Sequence, residues 1–99
     1  MRKAGQKLAR KYRITGRVQG VGFRYFAERH AVQLGLAGYV KNSWDGSVEV
    51  YAIGSRAQLD RLVADLRRGP RHAFVEDVLI EDAELFADFA SNFTIELGD

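Results

Sequence analysis

The chain has 99 residues, which is enough for one domain with one hydrophobic core. Hydrophobic residues make up 46% of the sequence, a proportion typical of globular proteins, so we do not expect a disordered chain. The absence of cysteine excludes disulfides, thiolate metal sites and a thiol nucleophile, and two histidines are too few for a histidine-rich metal site.

Charge is distributed unevenly along the chain, around a formal net charge of +2. Residues 1–13 contain six basic residues and no acidic ones, whereas residues 76–99 contain eight acidic residues and no Lys or Arg. We interpret residues 1–11 as a flexible basic extension and residues 12–99 as the folded domain. The basic residues either form a solvated tail or concentrate small anions near the glycine-rich segment that follows, and both alternatives stay open.

No segment of the sequence has the pattern of a membrane span or a signal peptide. No apolar run reaches the roughly 20 residues of a transmembrane helix. Residues 1–13 also lack the apolar region of a secretory signal. We therefore expect a cytoplasmic protein that does not contact a membrane.

The first predicted elements are a strand, a glycine-rich loop and a helix. Residues 12–18 alternate with the period of two that is typical of a half-buried strand. The stretch GRVQGVGFRYF at residues 16–26 follows, with three glycines within seven residues. Apolar residues then recur at helical spacing up to a glycine that ends the helix, namely Phe23, Ala27, Ala31, Leu34 and the terminating Gly35.

The second half of the chain contains one helix and four further strands. Ser55 and Gln58 have the spacing of a capping box, and Gly69-Pro70 ends the helix that they open. Residues 81–92 are acidic and weakly helical, and we leave them unassigned. The predicted strands are residues 37–42, 48–53, 73–80 and a short 93–97, with the hairpin turn of the first pair at Asp45-Gly46.

The element order β-α-β-β-α-β predicts an α+β fold, the ferredoxin-like split β-α-β sandwich with a short C-terminal strand added. Right-handed crossovers place both helices on one face of an antiparallel sheet. The first and second strands then run parallel with the third between them. Their C-terminal ends lie at one edge of the sheet, so the glycine loop and Asn42 come within roughly 10 Å, a gap that suits a small ligand.

The glycine loop is a candidate anion site. Glycines permit several backbone N–H groups to converge, and the unpaired N–H groups of a helix start add positive potential. Arg24 either binds the same anion through two N–H···O bonds, extends into solvent or pairs with Glu28. The spacing of the residues alone does not decide among these three alternatives. Nucleotide binding fits poorly, because no Walker A motif is present and Tyr25 stands where the dinucleotide fingerprint needs glycine.

Three segments, GRVQGVGFR, GLAGYVKNSWDGSVEV and LRRGPRHAFVEDV, closely resemble the acylphosphatases, small single-domain hydrolases of carboxyl-phosphate anhydrides. The resemblance covers about residues 12–97. It departs at Tyr39 and Ser43, where many members have tryptophan and threonine, and in the first ten residues, which extend past the usual start. It implies that Asn42 orients water, that no metal, cofactor or covalent intermediate is used, and that phosphate is bound by Arg24 and the loop around Gln19, Gly20, Val21, Gly22 and Phe23.

We accordingly expect a monomeric enzyme that hydrolyses small acyl phosphates to carboxylate and inorganic phosphate, with phosphate or sulfate able to occupy the loop. One alternative is a regulatory anion-binding domain without catalysis. Another is a nucleic-acid-binding module, which needs aromatic side chains exposed on the central strands. The outward positions of the third strand are predicted to be Glu49, Tyr51 and Ile53, and the RNP1 pattern is absent, so we do not expect nucleic acid.

Overall fold

The computed structural model describes residues 6–98. In it, the segments with alternating apolar residues form a β-sheet, and the segments with helical apolar spacing form two helices. The expected order β-α-β-β-α-β with a short last strand is confirmed. The elements are β1 Leu8–Arg17, α1 Phe23–Gln33, β2 Ala37–Asn42, β3 Val48–Gly54, α2 Arg56–Arg68, β4 Phe74–Ala83 and β5 Phe93–Ile95, with a 3-10 turn at Ala87–Phe89 between the last two strands.

The sheet has the strand order β4-β1-β3-β2-β5, so β3 lies between the parallel strands β1 and β2 as predicted. The four longer strands pair in antiparallel fashion. β5 pairs in parallel with β2, with Gly38 opposite Phe93 and Val40 opposite Ile95. The ferredoxin-like arrangement is confirmed. Residues 84–92 carry the chain from one edge of the sheet to the other, and β5 then runs in the same direction as β2. The complete sheet is therefore mixed.

β1 begins at Leu8, four residues before the predicted Tyr12, so residues 8–11 belong to the sheet and not to the expected extension. Ala9 is buried between Ile53 on β3 and Ala83 on β4. β4 is longer than predicted for the same reason, because its acidic end pairs with the basic start of β1. Residues 1–5 of the expected extension lie outside the described residues.

The two helices begin in different ways. Ser55 caps α2, since its hydroxyl accepts a hydrogen bond from the Gln58 amide at 3.2 Å. The Gln58 side chain in return accepts from the Ser55 amide at 2.8 Å and donates to the carbonyl of Leu34 at 2.7 Å. The predicted capping box is confirmed, and it also ties α2 to the end of α1. α1 begins after Gly22 with no capping side chain.

The main hydrophobic core lies between the helices and one face of the sheet. Tyr12 on β1 is fully buried, and its hydroxyl donates to the carbonyl of Leu59 on α2 at 3.1 Å. Phe23 and Phe26 on α1 are buried as well. The rest of the core comes from the alternating strand positions and the apolar stripe of α2, including Ile14, Val40, Val48, Val50, Leu62 and Leu66.

The opposite face of the sheet carries a second, smaller apolar cluster. The prediction that Tyr51 and Ile53 point outward to solvent is wrong, because both side chains are buried. The segment that was left unassigned folds over them, and the rings of Phe86 and Phe89 lie 5.7 and 6.0 Å from the Tyr51 ring. The Tyr51 hydroxyl donates to the carbonyl of Glu84 at 2.5 Å and accepts from the Phe86 amide at 2.9 Å, which fixes this cover.

Candidate active site

The glycine-rich loop connects β1 to α1 and needs glycine at two positions. Gly20 and Gly22 have φ values of 74° and 79°, in the left-handed region that side chains with a Cβ disfavour. A Cβ atom added at either residue would meet no atom within 4 Å. Backbone conformation and not packing therefore requires these glycines, and the space beside them is open to a ligand.

The loop and the end of β2 enclose a cavity of about 100 Å³. A water molecule takes up about 30 Å³ of liquid volume, so the cavity has room for a small anion and a water. Two larger hollows, of about 310 and 370 Å³, lie elsewhere and contain none of the predicted site residues. The small cavity combines both predicted catalytic side chains with the loop, since it is lined by Val18, Gly20, Gly22, Phe23, Arg24, Tyr25 and Asn42.

Arg24 is the second residue of α1 and lines this cavity. Its guanidinium makes no hydrogen bond or ion pair with any of residues 6–98, so the alternative of a pair with Glu28 is not realised. The first turn of α1 contains no acidic residue. A cation at a helix N-terminus is unfavourable by about 0.3–1 kcal/mol, and an anion in the cavity would compensate this charge.

Asn42 is the last residue of β2 and lines the cavity from the side of the sheet. Its backbone lies opposite Val48 in the β2–β3 ladder, which fixes where the side chain starts. The side-chain oxygen Oδ1 is buried and has no hydrogen-bond partner among the described residues. An unsatisfied buried acceptor costs about 1–3 kcal/mol. A hydrogen-bond donor bound next to Asn42, such as a water molecule, would remove this cost.

Gln19 was predicted to contribute a loop amide, and its side chain has a different contact. The side-chain Nε2 donates to the carbonyl of Ser43 at 2.7 Å and to the carbonyl of Ser47 at 2.9 Å. Both carbonyls belong to the turn between β2 and β3, directly after Asn42. Sequence reasoning missed this contact because it joins residues that are 24 and 28 positions apart. Gln19 and Val21 do not line the cavity.

The same turn is held by a charged network. Arg13 donates to Asp45 at 3.0 Å and to the hydroxyl of Ser47 at 3.1 Å. The other carboxylate oxygen of Asp45 accepts from the Ser47 hydroxyl at 2.6 Å and from the Ser47 amide at 3.0 Å. The hydrogen bonds from Ser47, with the charge of Arg13 as a smaller contribution, hold the pKa of Asp45 below its ordinary value.

Two exposed aromatic side chains lie in this part of the molecule. Tyr25 follows Arg24 on α1, lines the cavity and has 70% of its surface exposed. Tyr25 was not among the predicted site residues, because helical spacing alone does not show that it borders the site. Trp44 is 82% exposed and does not line the cavity. Of these two exposed aromatic residues, Tyr25 is therefore the one placed to contact a substrate.

The described residues contain no helix long and apolar enough to cross a membrane. Within residues 6–98 there is likewise no group of three or more His, Asp or Glu side chains arranged to hold a metal ion.

Comparison with known proteins agrees with the fold and with the sequence motifs. A model of the acylphosphatase family matches residues 10–95. An acylphosphatase of Koribacter versatilis is 58% identical over 74 residues, which are 75% of this chain and 67% of the relative. An acylphosphatase of Pasteurella multocida is 47% identical over 89 residues, 87% of this chain and 99% of the relative. The crystal structure of an acylphosphatase from Bacillus subtilis superimposes with a TM-score of 0.84 at 36% identity, over 90% of this chain and 98% of that one.

The architecture is that of a small ferredoxin-like α+β domain with a glycine-rich loop at the sheet edge. The chain belongs to the acylphosphatase family. These relatives confirm the prediction of an acylphosphatase enzyme.

Proposed function

We propose that this protein hydrolyses the carboxyl–phosphate bond of small acyl phosphates to a carboxylate and inorganic phosphate, by in-line attack of water and without a metal ion. The observation that carries the proposal is the juxtaposition in one cavity of Arg24, a cation, and Asn42, a buried acceptor, neither of which has a partner within residues 6–98. An anion and a water molecule together satisfy both groups.

The phosphate group is assigned to the loop half of the cavity. The backbone amides of the loop residues that line the cavity, Gly20, Gly22 and Phe23, and the start of α1 supply N–H donors and positive potential. Arg24 supplies two N–H groups in the planar geometry that matches two phosphate oxygens. Phosphoryl transfer passes through a loose transition state with charge on the equatorial oxygens, and donors fixed in advance stabilise that charge without reorganisation.

The attacking water is assigned to Asn42. Oδ1, which has no partner among the described residues, accepts a hydrogen bond from the water. This hydrogen bond orients the water so that a lone pair of the water oxygen points at phosphorus. An amide is too weak a base to remove a proton, so Asn42 acts by positioning. The substrate phosphate takes the proton from the water as the new P–O bond forms and the bond to the carboxylate breaks.

The leaving group needs little assistance. A carboxylate is weakly basic, so it departs without a proton and the site requires no general acid. Neither histidine lines the cavity: His72 is exposed, and His30 pairs with Asp65 on α2 at 3.2 Å. The chemistry that the cavity offers therefore matches an activated substrate such as an acyl phosphate.

The alternatives have less support. A domain that only binds an anion would have no use for a buried acceptor held beside the anion site. A nucleic-acid module would need exposed aromatics on the central strands, and Tyr51 is covered by Phe86 and Phe89. The proposal includes a cytoplasmic location, which cell fractionation tests. It also includes a monomeric state, which size-exclusion chromatography with light scattering tests.

The deciding experiment is hydrolysis of benzoyl phosphate in the presence of excess chelator. We expect full activity for the parent, loss of turnover for Asn42→Ala, and parental turnover for Asn92→Ala, whose exposed position makes it a matched control. An inactive parent would overturn the proposed function. Activity that returns only when a divalent cation is added would overturn the metal-free mechanism.

A further inference from the structure

The Gln19 side chain makes the most specific contact between the two halves of the site. Both of its partners are carbonyl oxygens, and the two N–H donors of the Gln19 side-chain amide satisfy them together. The Ser43 carbonyl also accepts from the amide of Gly46 at 3.1 Å, and the Ser47 carbonyl also accepts from the amide of Ser43 at 2.9 Å. Each carbonyl thus binds one donor of the β2–β3 turn and one donor of Gln19.

The contact is largely shielded from solvent. Ser43 and Ser47 are 7% and 3% exposed, and Gln19 is half-buried. Arg13 and Asp45 also hold the turn, through hydrogen bonds with the Ser47 hydroxyl. The loop that carries the anion-binding amides is therefore attached, through a single side chain, to the turn that starts one residue after Asn42.

We propose that Gln19 is a positioning residue that sets the distance between the bound phosphate and the water held by Asn42. This inference rests on the proposed function. Gly20 and Gly22 have no side chains that could pack the loop against the sheet, and a Cβ added at either would meet no atom within 4 Å. The Gln19 clamp supplies such a contact by joining the loop to the turn, so that the two halves of the site stay in register.

A kinetic split distinguishes positioning from phosphate binding. Gln19→Met keeps the size and shape of the side chain and removes both N–H donors. A misplacement of about 1 Å costs on the order of 10²-fold in rate, so we expect kcat for benzoyl phosphate to fall about 10- to 100-fold. The inhibition constant of inorganic phosphate should change less than about threefold, because the loop amides and Arg24 remain. Gln33→Met, on an exposed position of α1, is the matched control.

A double-mutant cycle with Asn42→Ala identifies the group through which Gln19 acts. If Gln19 aligns the water held by Asn42, Gln19→Met lowers kcat in the parent background and has less than about a twofold effect in the Asn42→Ala background. Equal factors in the two backgrounds would overturn the proposal. Parental kcat in Gln19→Met, or equal losses of kcat and phosphate affinity, would overturn it as well.

A second measurement keeps the proposal testable when Gln19→Met does not fold or when the parent is inactive. NMR of the parent protein reports hydrogen exchange of side-chain amide protons. Both Nε2 protons of Gln19 should exchange more slowly than those of exposed Gln33, because each is held by a buried carbonyl. Equal exchange rates would refute the clamp, whereas slow exchange in an inactive parent would refute the proposed function and leave the clamp as a structural contact.

Discussion

Arg24 and Asn42 line the same cavity, and neither the guanidinium of Arg24 nor the buried Oδ1 atom of Asn42 has a partner among the described residues. They come from elements that are distant in the chain, since Arg24 lies in the first turn of α1 and Asn42 ends β2. One is a cation that attracts an anion, and the other is an acceptor that needs a hydrogen-bond donor such as water. Together they select an anion with a water beside it.

The charge of Arg24 should be required for phosphate binding and for turnover. Arg24→Ala removes a contact that is present in the bound substrate and in the transition state, so we expect phosphate inhibition to disappear and kcat/KM to fall by about 10²–10³ or more. Arg29→Ala, on an exposed position of the same helix, should behave as the parent. Steady-state kinetics with benzoyl phosphate and phosphate titration measure both effects. Undiminished phosphate affinity in Arg24→Ala would show that the loop amides alone hold the anion.

Asn42 should reduce the stability of the unliganded protein while serving catalysis. Its buried Oδ1 lacks a partner, and such a group costs about 1–3 kcal/mol. We therefore expect Asn42→Ala to have a free energy of unfolding equal to or higher than that of the parent, although its turnover falls by about 10²–10³. Urea denaturation without phosphate measures this energy. A loss of stability beyond about 1 kcal/mol would indicate that the side chain is satisfied in the folded protein.

Tyr25 should influence which acyl groups are accepted. Its ring borders the cavity and is 70% exposed, so an apolar acyl group that packs on it removes apolar surface from water. Tyr25→Ala should raise KM for benzoyl phosphate several-fold more than KM for acetyl phosphate. Trp44→Ala, at a position that does not line the cavity, is the comparison variant. Equal changes for both substrates would exclude Tyr25 from acyl-group recognition.

Asp45 should make the turn beside Asn42 sensitive to acid. Its pKa is lowered in the folded protein, mainly by hydrogen bonds from Ser47, so the unfolded chain takes up this proton at the higher pH. The resulting stabilisation is present above about pH 4, the ordinary pKa of Asp, and is lost as the pH falls through the folded-state value. Denaturation curves of the parent and Asp45→Asn should therefore converge at acid pH. A stability difference independent of pH would contradict this assignment.

Features that depend on neighbouring residues could be predicted from the sequence. The capping box joins Ser55 and Gln58 across three residues, and the glycine loop and start of α1 at Phe23 follow from local backbone rules. The approach of Arg24 and Asn42 was also predictable, because the order of the elements fixes which strand ends share a sheet edge. The roles of these residues came from the resemblance to a family, and spacing alone left them open.

Features that depend on distant parts of the chain were decided by tertiary structure. Residues 8–11 look like a basic tail and form part of a strand because the acidic end of β4 pairs with them. Tyr51 has the pattern of an exposed position and is buried because Phe86 and Phe89 cover it from more than 30 residues away. The Gln19 clamp likewise spans 24 residues. The sequence by itself thus determined the element order, the glycine-rich loop and the candidate side chains. Contacts between distant parts of the chain determined the strand lengths, the covered face and the attachment of the loop to the turn beside Asn42.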